Sequence, residues 1–349
     1  MVASRVHAQI DDESAGAPRL MFTGMLDADF ASDYGALDQA RHATGLEADL
    51  TTQVLLNSRL YAVLRTTLRD GIVPRQGAGN TRPPLAYDGA QINWKADDNT
   101  VLMVGDLVGG SGYFQYYRYK RAAAVVGEHT VRGAGIRSGN LLVQAGMATD
   151  TNGIDGDWSV FARWHRSIRE NMTWTPSLRY TVGVPGAMPF ELGLSFDGLF
   201  DDALELHAHT GMQYWNPDTD PGTFLLIEPR YTYAPYFFSG TLFLSDKGEV
   251  HSPNVPRGTT TWTPLDDFLL QFEPGLALNP TFSTSVSLEY RNATFTSNRD
   301  EAFWFIPTLY VYPAPRAQWW LWTALTKPLI QGTGSAPRLS LGSEIVFTF

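Results

Sequence analysis

The chain contains no cysteine among its 349 residues, which excludes a disulfide framework and a thiolate metal site. It also lacks any apolar run near the roughly 18 residues of a membrane-spanning helix, and apolar residues hardly recur at helical spacing. Basic residues are scarce, since 26 Lys and Arg stand against 36 Asp and Glu, with a net charge of -10 and no basic tract. This balance argues against a nucleic-acid partner.

Aromatic residues are abundant by contrast, with 15 Tyr, 10 Trp and 19 Phe, yet mean hydropathy is slightly negative at -0.17. Along the chain, segments of about 9 to 12 residues alternate apolar and polar side chains between clusters of Gly, Pro, Asn and Asp. Alternation suits a strand with lipid on one face and water on the other. The sequence therefore predicts an all-β chain forming a single closed antiparallel transmembrane β-barrel of about 16 strands, within a range of about 14 to 18.

The last segment shows the pattern most clearly, because its odd positions are mostly apolar and its even positions mostly small or polar. The apolar residues include Leu341, Ile345, Phe347 and Phe349. A chain that stops on Phe within such a strand would leave an exposed apolar edge in an open sheet, and closure into a barrel removes that edge.

These terminal residues resemble the C-terminal signature of bacterial outer-membrane β-barrel proteins of the porin type. In that family the last strand and its final Phe are the signal that the barrel-insertion machinery reads, so the resemblance implies an insertion signal at Phe347 and Phe349. It also implies a location in the outer membrane of a Gram-negative envelope, with outer-membrane lipid and the barrel-insertion machinery as partners.

The resulting domain prediction has two parts. Residues 1–18 form an N-terminal segment that we interpret as the remnant of a signal-peptide cleavage region, because Val6-His7-Ala8 resembles the end of such a site. Residues 19–349 form the transmembrane β-barrel. Polar stretches predict long loops at 34–43, 70–84, 122–139 and 245–264.

Four prolines recur between apolar residues, in the stretches 174–180, 227–233, 272–278 and 305–311. Proline cannot donate to a β-ladder, so within a sheet it belongs at a strand start, a bulge or an edge. We therefore expect each of these prolines to mark a strand start or a bulge.

If the apolar face of each strand meets lipid, the opposite face meets the barrel interior. A charge on the lipid face would cost about 2 to 4 kcal/mol near the midplane. The side chains that this parity places inside, and that we predict to line a pore, are Arg163, Arg179, Glu191, Asp197, Glu205, His207, His209, Glu228, Arg230, Glu273, Glu289 and Arg291. Facing rows of Arg and carboxylate would set a transverse field that selects solutes. The alternative is that these groups only pair with one another in a narrow or plugged barrel.

Two constellations invite a metal-binding hypothesis. Glu205, His207 and His209 share one strand face, but same-face positions are about 6 to 7 Å apart, which is loose for one ion. Residues 150–157 are rich in oxygen ligands but lack the glutamate at the twelfth position of an EF-hand loop. We predict no metal site and no cofactor, and interpret 150–157 as an acidic turn.

Catalysis is a further alternative, in which Ser159, Ser195 or Ser239 would meet a histidine inside the barrel. The candidate histidines are His165, His207 and His209. No G-x-S-x-G elbow is present. We therefore predict no catalytic residues. An outer-membrane hydrolase would instead require a histidine bonded to Ser or Asp at the extracellular rim.

The aromatic tracts 113–119 and 319–322 carry rings on both faces of their strands. Outward rings form interfacial girdles, whereas inward rings offer stacking surfaces for sugars. The sequence thus favours a channel for passive diffusion of small hydrophilic solutes, with saccharides and cations as candidates. The main alternative is a non-conducting barrel that anchors or scaffolds an envelope complex, as a homo-oligomer or with an envelope protein partner.

Overall fold

A computed structural model describes residues 19–34, 40–69, 85–110, 128–148, 158–182, 190–214, 222–246, 268–295, 298–329 and 337–349. The residues 1–18 and the candidate calcium turn 150–157 lie outside this part. The strands are β1 (Arg19–Tyr34), β2 (Ala40–Leu55), β3 (Leu60–Arg69), β4 (Leu85–Lys95), β5 (Thr100–Gly110), β6 (Glu128–Ser138), β7 (Leu141–Ala148), β8 (Trp158–Trp164), β9 (Arg166–Arg169), β10 (Met172–Val182), β11 (Phe190–Phe200), β12 (Leu204–Tyr214), β13 (Gly222–Tyr233), β14 (Tyr236–Asp246), β15 (Phe268–Ala277), β16 (Phe282–Phe295), β17 (Asn298–Ala314), β18 (Ala317–Pro328) and β19 (Arg338–Thr348).

These strands form one closed antiparallel barrel, since each pairs with its neighbours in sequence and β19 pairs with β1. The short segments β8 and β9 are one barrel strand broken at His165, because they pair with successive halves of β10. Counted once, they give a barrel of 18 strands. The predicted closed barrel is confirmed, and its strand number lies at the upper end of the predicted range rather than at the preferred 16.

Side-chain burial alternates along strands such as β15 and β16. In β16, Ser283, Ser285 and Ser287 are buried on the inner face, while Leu288 is exposed on the outer face. Phe272 of β15 is likewise exposed on the outside. Such a wall, apolar outside and polar inside, is the distribution that a barrel between lipid and a polar interior requires.

The terminal strand closes the barrel at a seam with β1. The backbone N–H groups of Gly24 and Phe349 each donate to the carbonyl oxygen of the other, both at 3.1 Å. A Cβ at Gly24 would lie 2.8 Å from Cζ of Phe349, so the terminal ring lies over this glycine. Phe347 and Phe349 are both exposed on the outer face.

Short turns at one end of the barrel share a side-chain cap. Asn57 and Asn279 each accept two backbone N–H groups through Oδ1, and Asp97 accepts the N–H of Asn99 at 2.8 Å. Such Asx turns replace missing ladder bonds. The bond from Asn99 also lowers the pKa of the Asp97 carboxyl below its usual value of 3.8.

The four recurrent prolines interrupt strands rather than start them. Beside each one, the ladder to one neighbouring strand skips two positions, which are 175–176, 228–229, 273–274 and 306–307. A missing N–H donor accounts for these gaps.

Two expectations need correction. The predicted loop 122–139 contains strand β6, and the predicted loop 34–43 overlaps β2. In β6 the inner positions Gly133 and Gly135 carry no side chain, which hid the alternation. The aromatic tract 113–119 falls outside the described residues. Within the described part, no helix is long and apolar enough to cross a membrane.

The interior is not polar throughout. Six apolar side chains of β5 to β8 form a buried cluster on the inner face, made by Val101, Met103, Leu107, Val131, Leu142 and Phe161. Part of the inner wall on β5 to β8 is therefore lined by apolar side chains, beside inward polar residues such as Gln144 and Ser159.

Candidate functional site: the inner wall

The predicted pore-lining residues occupy the inner face of the wall in different environments. Those that are buried are Glu191, His207, His209, Glu228, Glu273 and Glu289, with 0 to 5% of their surface exposed. Those that are partly or largely exposed are Arg163, Arg179, Asp197, Glu205 and Arg230. Arg291 lies in β16, but its side chain is outside the described part.

Glu273 of β15 is the centre of the best-ordered polar network. Its Oε1 accepts hydrogen bonds from the hydroxyl groups of Ser285, at 2.5 Å, and of Tyr310, at 2.6 Å. Its Oε2 accepts a bond of 3.1 Å from the side-chain amide of Gln271. These three donors hold the carboxyl group in one orientation. This network therefore fixes an acidic group on the inner wall.

The same network runs across four neighbouring strands. The amide of Gln271 also donates to Ser287 at 3.2 Å, and its Oε1 accepts the hydroxyl of Thr241 at 2.9 Å. Ser287 in turn donates to Oε1 of Glu289 at 3.0 Å. Because these bonds join inward side chains within and between β14 to β17, the two glutamates belong to one connected belt.

A second acidic region lies on β11 to β13. A hydrogen bond of 2.7 Å joins Nδ1 of His207 to Oδ1 of Asp197, which stands opposite it in the ladder. On the other side, His207 is paired in register with Glu228 of β13. The imidazole therefore lies between two acidic side chains on the inner wall.

The Ser195–His209 pair has the contact that a hydrolase would need, but not the position. The Ser195 hydroxyl oxygen and His209 Nδ1 are 2.6 Å apart, in the middle of their strands and away from the rim. The opposite ring nitrogen of His209 is buried and has no hydrogen-bond partner among the described residues. Among the described residues no carboxylate bonds the second ring nitrogen of His209, so they do not supply the third member of a catalytic triad.

The proposed His-rich metal constellation does not assemble either. The Nδ1 atoms of His207 and His209 already contact Asp197 and Ser195, respectively. No group of three or more potential metal ligands converges within the described ranges.

Basic side chains occupy the other arc of the inner wall. Those that point inward on β3 to β10 are Arg65, Lys95, Arg137, Arg163 and Arg179. Arg65 is anchored by a 3.1 Å bond from Nη2 to Oε1 of Gln91. Among the described inward side chains of β11 to β16, carboxylates predominate and Arg230 lies beside them. Charges of opposite sign thus face one another across the interior.

The ion pair between Asp106 and Arg132 was not predicted from the sequence. Asp106 accepts bonds from Nε of Arg132, at 2.8 Å, and from the backbone N–H of Ala90, at 3.1 Å. It fills the space above Gly89, which has φ of +133°, beside Gly105 at +125°. Gly89 and Gly105 adopt backbone conformations that other residues avoid. Glycine at these two positions was therefore the feature of the sequence that indicated an irregular backbone here. The pair ties three strands together where the β4–β5 ladder ends.

Comparisons with solved structures agree with this architecture. A BenF-like porin from Pseudomonas fluorescens Pf-5 superposes with a TM-score of 0.59 at 10% identity, covering 95% of this chain and 98% of that one. OccK8 (OprE) of Pseudomonas aeruginosa gives 0.57 at 10% identity, with the same coverage. OmpT of Vibrio cholerae gives 0.54 at 11% identity, covering 97% and 100%.

The chain has the fold of the bacterial outer-membrane porins. No family model and no curated protein matches its sequence. At 10 to 12% identity the likeness extends to the fold, and individual side chains must be interpreted from their own geometry.

Proposed function

We propose that this protein is an outer-membrane channel for passive diffusion of small hydrophilic solutes, in which cations and neutral solutes pass more readily than anions. The observation that supports it is the set of inward carboxylates on β11 to β16, behind a wall whose outer face is apolar. They include Glu191, Glu228, Glu273 and Glu289. Ionised groups are expensive to keep in a dry membrane interior, so they mark a route for water and solutes.

The facing arcs of opposite charge add a selection principle. A solute that passes between the basic arc and the acidic belt crosses a transverse field, which favours small dipolar molecules that align with it. Because the chain carries a net charge of -10, the potential along the route favours cations over anions.

A small solute is also consistent with a related fold. One of the similar structures, OpdK of Pseudomonas aeruginosa, was determined with vanillate, at a TM-score of 0.57 and 12% identity. We extend from it only the size class, a small organic molecule. The inward carboxylates on β11 to β16 of the present chain favour neutral or cationic molecules.

The alternative function is a non-conducting barrel that scaffolds an envelope complex. Its support is the near-complete burial of the inner carboxylates, because a narrow or filled interior would produce the same burial. A scaffold needs a closed wall, whereas a channel needs a continuous path for water.

Conductance of the purified, folded protein in planar lipid bilayers separates the two. A channel gives discrete current steps whose size increases with salt concentration. Folded protein that inserts, shown by its heat-modifiable mobility on a gel, and gives no steps would reject the channel in favour of the scaffold.

A further inference from the structure

We infer that the inner face of β17 and β18 carries a stacking subsite for a neutral saccharide. This aromatic platform consists of Tyr310, Trp320 and Trp322, and the inference rests on the proposed channel function. The three side chains share one face, since Tyr310 is paired in register with Trp320. That face is internal, because Ala324 and Thr326 at the same parity of β18 are buried.

The Trp322 ring packs against Gly342 of the neighbouring strand β19. A Cβ at Gly342, its ladder partner on β19, would clash with the six-membered part of the indole ring. A glycine at this position therefore allows the ring to lie over the neighbouring strand, and a ring lying on the wall turns one face to the interior. A flat aromatic face is the surface on which the C–H face of a pyranose stacks.

Tyr310 and Trp320 form the adjoining part of the platform. Their ring centroids are 6.1 Å apart at an interplanar angle of 75°, an edge-to-face arrangement that fixes both rings. The Tyr310 hydroxyl donates to Glu273, and Glu344 stands opposite Trp320 in the β18–β19 ladder. Carboxylates thus flank the rings and offer acceptors for solute hydroxyl groups.

The indole N–H of Trp320 distinguishes among ligand classes. It is buried and has no hydrogen-bond acceptor among the described residues. On the outer face of the same strand, the indole N–H of Trp319 donates to the Ser343 hydroxyl at 2.7 Å. An unsatisfied buried donor is costly, and a solute that brings an acceptor recovers that cost.

These features together favour a neutral sugar. A cation has no acceptor for the Trp320 N–H, and an anion is repelled by Glu273 and Glu344. A sugar hydroxyl both accepts from the indole and donates to a carboxylate, while the ring stacks on Trp322. The platform thereby selects for a pyranose face rather than for size alone.

The test uses current block of the full-length protein in planar bilayers, with maltotriose as the probe. Polyethylene glycol of similar hydrodynamic size is the control for simple obstruction. Maltotriose should reduce the potassium chloride current at concentrations where the polymer does not. Replacement Trp322→Ala should weaken the block by about fivefold to tenfold, the loss expected for one stacking contact.

The matched control is Trp319→Ala on the same strand, which removes an outward ring and should leave the block unchanged. If Trp322→Ala does not insert, Trp322→Leu retains apolar volume without a π-face and should show the same weakening. An equal effect of sugar and polymer on the wild-type current would reject the platform whatever the variants do. Equal block in Trp319→Ala and Trp322→Ala would also reject it. Absence of any salt conductance in the folded wild-type protein would reject the channel function itself. Failure of the platform and failure of the channel function can therefore be told apart.

Discussion

Deletion of Phe349 is predicted to destabilise the barrel at its closing seam. The deletion removes two reciprocal backbone hydrogen bonds with Gly24, each of 3.1 Å. At about 1 kcal/mol each, their loss lowers the free energy of unfolding by about 2 kcal/mol, which is roughly a thirtyfold change in the folded-to-unfolded ratio. Thr348 keeps its own bond to the carbonyl of Arg316 at 3.0 Å, so the damage stays local.

The assay is urea unfolding of the barrel in phospholipid vesicles, with the folded fraction measured from heat-modifiable gel mobility. The deletion should lower the midpoint without changing the slope. Phe349→Leu is the matched control, because it keeps both backbone bonds and an apolar side chain, and it should lose less than half as much. An unchanged midpoint for the deletion would refute the seam argument. A truncated chain that reaches the outer membrane at the normal level would refute the proposed insertion signal.

Further predictions concern side-chain orientation and its consequences. Arg179→Cys on β10 should react with a water-soluble thiol reagent, whereas Leu178→Cys should not, because its side chain points to lipid; equal labelling would contradict the inner-wall assignment. Bilayer recordings should show discrete current steps from wild-type protein, and maltotriose should block them through Trp322 rather than Trp319.

The barrel itself could be predicted because alternation is a local property. A strand between lipid and a polar interior shows its two faces in its own residues, as in the terminal strand through Phe349. Where one face lacks side chains, that signal disappears. The sequence therefore predicts a loop where strand β6 lies, since Gly133 and Gly135 occupy its inner positions.

Partners across strands could not be predicted, because they depend on register between segments far apart in the sequence. Parity placed Glu273 inside, but nothing local to it indicated Tyr310, which lies 37 positions away, as a donor. The contact between the Phe349 ring and Gly24 could not be predicted for the same reason, because the two residues lie near opposite ends of the sequence. The pairing of Ser195 with His209 was one of several combinations that the sequence left open.

The orientation of the tryptophan tract was also left open by the sequence. Rings at consecutive positions must alternate between faces, but the pattern does not show which of Trp319 and Trp320 points inward. The register with β17 and the burial of Ala324 assign Trp320 to the inner face. The pairing of β18 with β17 therefore shows which of the tryptophan side chains point inward.

Reversal potential in a potassium chloride gradient tests the central claim, a channel with an acidic belt, most directly. We predict cation preference at low salt that weakens as salt rises, because the screening length falls from about 10 Å at 0.1 M to about 3 Å at 1 M. Glu273→Gln should reduce the preference, while Glu170→Gln in the exposed β9–β10 turn should not. Anion preference in the wild-type protein would contradict the account and would mean that the basic arc governs passage.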